Sequence, residues 1–143
     1  MPYVPNLPDT FYRVSVKGLV FDDEARLLVF KDENGEWEVP GGGWEHAESI
    51  ETCVSRELAE EAQASVVSVG KLEFSYRGTT VSGNPKLCLA VRVTLNDTRH
   101  FVPSSDNLVE ARFVTKEELL ALPFQKGEDG IQTCVDLIWP AAH

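Results

Sequence analysis

The sequence predicts a mixed α/β fold of the α+β kind, a mixed β-sheet lying between helices. Three observations predict it. Short alternating or apolar runs bounded by turn residues recur along the chain. One segment, Ser49 to about Ala62, combines helical periodicity with a capping residue. The two kinds of segment then interleave, as they do in a sheet covered by helices.

Taken in order, "MPYVPNLPDT" is a proline-rich, extended lead-in. "FYRVSVKGLVF", Phe11 to Phe21, alternates as a strand does, and "DDEA" turns the chain. "RLLVF", Arg26 to Phe30, is a second strand expected to pair with the first, and "KDENGE" is loop. "WEVP" is a brief strand ended by Pro40, which cannot donate to a ladder. Gly41, Gly42 and Gly43 form a turn open to backbone angles that side chains forbid. In the helix that follows, Ser49 is the N-cap and Glu51 sits in the first turn, where the dipole favours it. "KLEFSY" and "KLCLAVRVTL" are strands around the loop "RGTTVSGNP", and "ARFV" is a short one. "TKEELLAL" opens with a capping box, Thr115 to Glu118, and Pro123 closes that helix. "GIQTCVDLIW" is a final helix with Ile131, Val135 and Ile138 on one side.

At 143 residues the chain suits one domain, and a domain of that size buries roughly 70% of its unfolded surface. No apolar run approaches the roughly 18 residues of a membrane span, and no signal peptide is evident, so no membrane partner is expected and the cytoplasm is the default compartment. Cys53, Cys88 and Cys134 are odd in number and scattered, which argues against a disulfide framework or zinc site. Cys53 and Cys88 read as buried thiols. The net charge of −10 disfavours nucleic-acid polymers, which select basic patches. A small phosphorylated partner stays open if a cation mediates.

The segment "PGGGWEHAESIETCVSRELAEEAQA", Pro40 to Ala64, holds the unusual chemistry. At roughly 100° per residue, Ile50, Cys53, Val54 and Leu58 form the apolar stripe of the helix. Glu57 and Glu61 project within about 20° of Ile50 on that wheel, so they continue the stripe; Glu60 lies on its flank. Like charges four residues apart repel, and turning them inward adds desolvation. Three carboxylates in one turn suit a hard divalent cation with oxygen ligands. Spacing alone leaves both metal binding and a solvated helix end open. A glycine turn ahead of the helix, with backbone groups free to meet an anion or metal, favours the first.

The segment resembles the Nudix box, Gx5Ex7REUxEExGU with U aliphatic. Gly42 is followed by Glu48, then Arg56-Glu57-Leu58, Ala59 and Glu60-Glu61, and every charged position agrees. "WEVPGGG" is similar to the family's lead-in, and "EARFVTKEELLALPF" to the strand and short helix that follow in it. The departures are Gln63 in place of glycine and Ala64 in place of a larger aliphatic. The glycine ends the helix left-handed; Gln63 either adopts that conformation at about 1 kcal/mol or lets the helix run on.

The resemblance implies a Nudix-like sandwich and Mg2+- or Mn2+-dependent hydrolysis of a nucleoside diphosphate linked to another group; the oligomeric state is left open between monomer and homodimer. It implies Glu57 and Glu61 as main metal ligands, Glu60 as a third, and the Gly41 carbonyl as a backbone ligand. It implies Arg56 and Glu48 as a pair locking loop to helix. The general base is left open among Glu57, Asp106 and Glu110. The resemblance implies a small nucleotide or nucleotide-sugar substrate and leaves open which one. The "SQPWPFPxS" array of NADH-cleaving members is absent; Thr79 and Thr80 stand where ADP-ribose-cleaving members tend to place proline, and Tyr76 comes too early for the tyrosine of diadenosine-polyphosphate members. Phe11, Tyr12, Phe74 and Tyr76 are candidates to stack on a nucleobase, with core packing as the other reading. A non-catalytic nucleotide sensor is the alternative function, against which the intact glutamates argue. Prenyl-diphosphate isomerisation is a further one, for which Cys53 and Cys88 are poorly placed.

Overall fold

The computed structural model describes residues 11–80, 82–99, 101–104, 107–125, 127 and 130–139. The lead-in of residues 1–10 and the base candidate Asp106 lie outside the described residues. Strands β1 (Arg13–Leu19), β2 (Leu27–Asp32), β3 (Trp37–Glu38) and β4 (Gly41–Gly43) precede helix α1 (Ile50–Ala62). Strands β5 (Val66–Thr79), β6 (Pro85–Leu95) and β7 (Leu108–Val114) follow, then α2 (Lys116–Ala121), α3 (Gly130–Thr133) and α4 (Val135–Ile138). No helix among the described residues is long and apolar enough to cross a membrane.

The α+β class is as the sequence predicts, but the strands divide between two sheets. One runs β4-β1-β6-β5, mixed because β1 and β6 are parallel; the other, β3-β2-β7, is antiparallel. The expected β1–β2 pairing is therefore corrected. It survives only as a bridge between Phe21 and Leu27 beside a turn in which Asp22 Oδ1 accepts the N–H groups of Glu24 and Arg26. Beyond it β1 has β4 on one side and β6 on the other, so β2 takes β3 and β7.

Alternation then sorts the core. Val16, Val20, Leu28, Phe30, Val91 and Val93 face α1, meeting Cys53, Val54, Leu58 and Ala62. Leu19, Leu27, Val29, Trp37, Phe74, Tyr76 and Cys88 face the other way, toward Leu119, Ile131, Val135 and Ile138 of the later helices. The strands thus lie between α1 and α2–α4.

Three further expectations are corrected. Gly41–Gly43 is a strand, paired with β1 from Ser15–Gly43 to Lys17–Gly41. Strand β5 is far longer than "KLEFSY", because register shifts against β6 let pairing continue from Val66 to Thr79. The last helix breaks at Cys134, whose N–H donates three residues back to Ile131 while Thr133 Oγ1 bonds the Gly130 carbonyl. Its apolar side still reaches the core through Ile131, Val135 and Ile138.

Candidate active site

Helix α1 begins where Ser49 accepts the N–H of Thr52 at 3.0 Å, and it ends at Gln63, left-handed at φ 53°. Gln63 N–H donates to the Ala59 carbonyl and Ala64 N–H to that of Leu58, which closes the helix as glycine usually does. Between these ends the apolar stripe docks on the β4-β1-β6-β5 sheet. Gly18 makes this possible, since a Cβ there would stand 3.0 Å from Val54.

Arg56 connects helix and turn. Its Nε and Nη2 donate to the two Glu48 oxygens at 3.2 and 2.8 Å, and Nη2 also donates to the Gly43 carbonyl at 3.2 Å. Nη1 donates to Glu57 Oε1 at 2.9 Å and lies 3.6 Å from Glu60. The Arg56 hydrogen bonds, with the Glu45 N–H, hold the Glu48 carboxyl down at about 2. In turn the guanidinium, bonded first to Glu48, is raised above its usual range.

Glycines bring the backbone against the carboxylates. A Cβ on Gly42 would stand 2.5 Å from Glu57 Oε1, so only glycine leaves that carboxylate its place. Gly41, at φ +133°, has its Cβ position filled by the Val16 carbonyl, and its N–H donates to Glu61 Oε1 at 2.9 Å. Glu61 is 7% exposed, and burial pushes its carboxyl up to about 8, against the pull of the Gly41 N–H and Lys17. Glu57 and Glu38 add to the rise. Glu60 points outward, with its side chain 57% exposed.

Among the described residues no three acidic, histidine or cysteine side chains converge closely enough to hold an ion. Arg56 draws Glu57 and Glu60 to one side, and Glu61 turns to Gly41. The donor chemistry nevertheless fits a hard divalent cation. A buried carboxyl held near neutrality beside a second carboxylate is the situation that such an ion relieves, since its charge offsets both burial and repulsion.

Of the base candidates, Glu57 is at the site. Glu110 is held elsewhere: it pairs with Arg112 at 2.7 Å and Lys31 at 3.7 Å. Its strand alternates so that Ala111, not Glu110, shares a face with Glu38. Phe74 and Tyr76 are buried in the core. Phe11 and Tyr12 instead line an open cavity of about 850 Å³ with Trp44 and Glu48, which includes none of Glu57, Glu60 or Glu61.

Three neighbours went unread in the sequence. Ser104 Oγ donates to the Glu60 carbonyl at 2.6 Å, and its N–H to that of Glu61 at 2.8 Å, fixing a later loop to the end of α1. Lys17, 3% exposed, runs beside Gly41. Glu38 acts on Glu61 from β3. The signal for Lys17 was present: two residues before Leu19, it shares that residue's face of the strand.

Comparison with known proteins agrees with this arrangement. A MutT-like protein of Streptomyces ambofaciens is 43% identical over 70 residues, covering 48% of this chain and 45% of that relative, so the match spans less than half of its length. The MutT protein of Methanosarcina mazei Go1 superposes with a TM-score of 0.76 at 17% identity, over 92% of this chain and 96% of the other. An ADP-ribose pyrophosphatase of Streptococcus suis superposes with a TM-score of 0.66 at 19% identity, over 93% and 96%. At such identities the superpositions speak to the fold. The NUDIX domain profile matches residues 11–132, across both sheets and α1. The chain belongs to the Nudix family.

Proposed function

We propose that this protein hydrolyses the diphosphate bond of a nucleoside diphosphate linked to another group, with Mg2+ or Mn2+ as cofactor. The observation that carries the reading is that adjacent glycines of β4 meet the two carboxylates, the Gly41 N–H donating to the buried Glu61 and Gly42 leaving room for Glu57, which Arg56 braces. Glu57 and Glu61 would hold the ion, with Glu60 and the Gly41 carbonyl completing the protein's share. The bound ion supplies charge to the phosphate oxygens and acidity to water. The chain's own part is positional. Arg56 fixes the loop through Glu48, and Gly42 leaves room for Glu57. Glu57 is the first candidate to take the proton of the attacking water. The water oxygen bonds to phosphorus, and the bridging oxygen leaves with the electron pair. Asp106 and Glu110 are the remaining base candidates, of which Glu110 would first have to leave Arg112.

The substrate class is a small nucleotide or nucleotide sugar. A net charge of −10 sets the protein against nucleic-acid polymers, and the Streptococcus suis neighbour's name, ADP-ribose pyrophosphatase, supports a molecule of that size. The test is phosphate and nucleotide release from nucleoside triphosphates, dinucleotides, ADP-ribose and nucleotide sugars with Mg2+ or Mn2+. Turnover of one class, lost by at least about a hundredfold in Glu57→Gln and Glu61→Gln, is the expected result. Nucleotide binding without turnover on any of these would replace the hydrolase reading with that of a binding module.

A further inference from the structure

We infer that Ser104 is a positioning residue for the glutamate end of α1. It clamps the backbone from which Glu60 and Glu61 project, and so couples the loop between β6 and β7 to occupancy of the ion site. This rests on the proposed reading of Glu57, Glu60 and Glu61 as metal ligands.

The need for a clamp follows from the helix itself. The last carbonyls of a helix find no N–H within it. At the end of α1 the left-handed turn at Gln63 serves two of the earlier ones: Gln63 N–H donates to the Ala59 carbonyl, and Ala64 N–H to that of Leu58. The next two carbonyls belong to Glu60 and Glu61. Ser104 supplies a donor to each, Oγ to Glu60 at 2.6 Å and N–H to Glu61 at 2.8 Å. One residue thus ties two consecutive peptide units of α1 to a loop some forty positions further along the chain.

The two glutamates depend on this tie in different ways. Glu61 is held at both ends, its carboxyl by the Gly41 N–H at 2.9 Å and its carbonyl by the loop. Glu60 has a side chain 57% exposed and 3.6 Å from Arg56 Nη1, so its direction is set largely by its backbone.

The loop can bear the load because it is anchored on either side of the clamp. It carries the chain from the β4-β1-β6-β5 sheet to the β3-β2-β7 sheet. Before Ser104, Phe101 packs on Phe113 of β7 with ring centroids 5.6 Å apart. After it, the Asn107 carbonyl accepts the Glu33 N–H at 2.9 Å, and Leu108 is buried in the α1 half of the core. Ser104 itself is exposed, so water can replace a lost hydrogen bond and the fold survives its removal. Water does not replace the fixed geometry. A hard cation gathers its carboxylates at short oxygen distances, and a last turn free to fray presents Glu60 and Glu61 in several arrangements instead of one. By linkage, the ion favours the closed clamp by the same factor as the clamp favours the ion.

The test is Mn2+ binding to the substrate-free protein, read by calorimetry and by the electron paramagnetic resonance of the free ion. The proteins are wild type, Ser104→Ala, Ser104→Val, Ser104→Thr and Thr115→Ala, with melting temperatures for each. Thr115→Ala removes the cap of α2 and serves as the control for lost stability alone. The expected result is affinity weakened about fivefold in Ser104→Ala and Ser104→Val, and restored to within about twofold by Ser104→Thr, which keeps the hydroxyl. Thr115→Ala should melt lower yet bind as wild type does. Hydrogen exchange at the Ser104 amide should slow by at least about fivefold when Mn2+ is added. Equal affinity in all Ser104 variants, Ser104→Thr as weak as Ser104→Val, or Thr115→Ala as weak as Ser104→Ala would each overturn the inference and leave the metal reading standing. No Mn2+ binding to wild type, or binding untouched by Glu57→Gln and Glu61→Gln, overturns both. Binding that depends on the Ser104 hydroxyl, in a protein that turns over none of the substrates, keeps the clamp and overturns the hydrolysis.

Discussion

Glu61 is 7% exposed, with its carboxyl pushed up to about 8 by burial, and its neighbours from every side are Lys17, Glu38, Glu57 and the Gly41 N–H. A carboxyl whose folded value exceeds its unfolded 4.5 binds more protons in the native state, so its contribution is full below 4.5 and is lost as pH rises through 8. Metal-free protein should therefore melt at falling temperature from about pH 5 to pH 8. Glu61→Gln should flatten that fall, because an amide has no proton to lose. Glu48 works in another window: held at about 2, it contributes above 4.5 and is lost only as pH drops toward 2. Thermal melts with a chelator across pH 5 to 8 check the claim. Added Mg2+ should raise the melting temperature most at the alkaline end, where the ion no longer competes with the proton. A wild-type melt as flat as that of Glu61→Gln would refute it.

Helix α1 was the most legible element, because Ser49, the apolar stripe and the inward glutamates are all local signals. The pairing of Arg56 with Glu48, eight residues apart, was legible only through the resemblance to the Nudix box. The glycine strand could not be read, since three glycines carry a turn signal and no strand propensity. It forms because β1 offers an open edge and the carboxylate of Glu57 needs a backbone without Cβ. Nor could the partner of β2 be read, because the competitor β7 lies some eighty residues further along the chain. The end of α1 is the point where sequence posed a choice, and Gln63 takes the left-handed conformation at φ 53°. Replacing it with glycine should relieve strain of about 1 kcal/mol, partly offset by the freer unfolded chain, for a net gain of about 0.5 kcal/mol. Gln63→Val, β-branched at positive φ, should lose stability instead. Urea midpoints of the two variants, moving in opposite directions, test this; equal shifts would mean that the cap contributes nothing.

Leu27 and Leu28 are adjacent, both fully buried, and belong to opposite halves of the interior. Leu27 packs toward the later helices, with Trp37 and the flanking Trp139. Leu28 packs toward α1, in a cluster without tryptophan. Strands β1, β2 and β6 supply both clusters through alternate residues, so neither half can lose its packing without disturbing the backbone that supports the other. The molecule should therefore unfold as one cooperative unit. Truncation of either leucine to alanine should cost about 2–5 kcal/mol. The informative variant is Leu28→Ala, which removes nothing from the surroundings of Trp37. Its fluorescence transition should nonetheless move to lower denaturant together with the far-UV circular dichroism transition, by the same amount. A fluorescence midpoint left at the wild-type position while the dichroism midpoint falls would show that the α1 half unfolds alone. The glutamates of α1 would then be carried by a unit that opens independently of the rest. Coincident transitions mean instead that the ion proposed at Glu57 and Glu61 would, once bound, stabilise the whole chain, both sheets included.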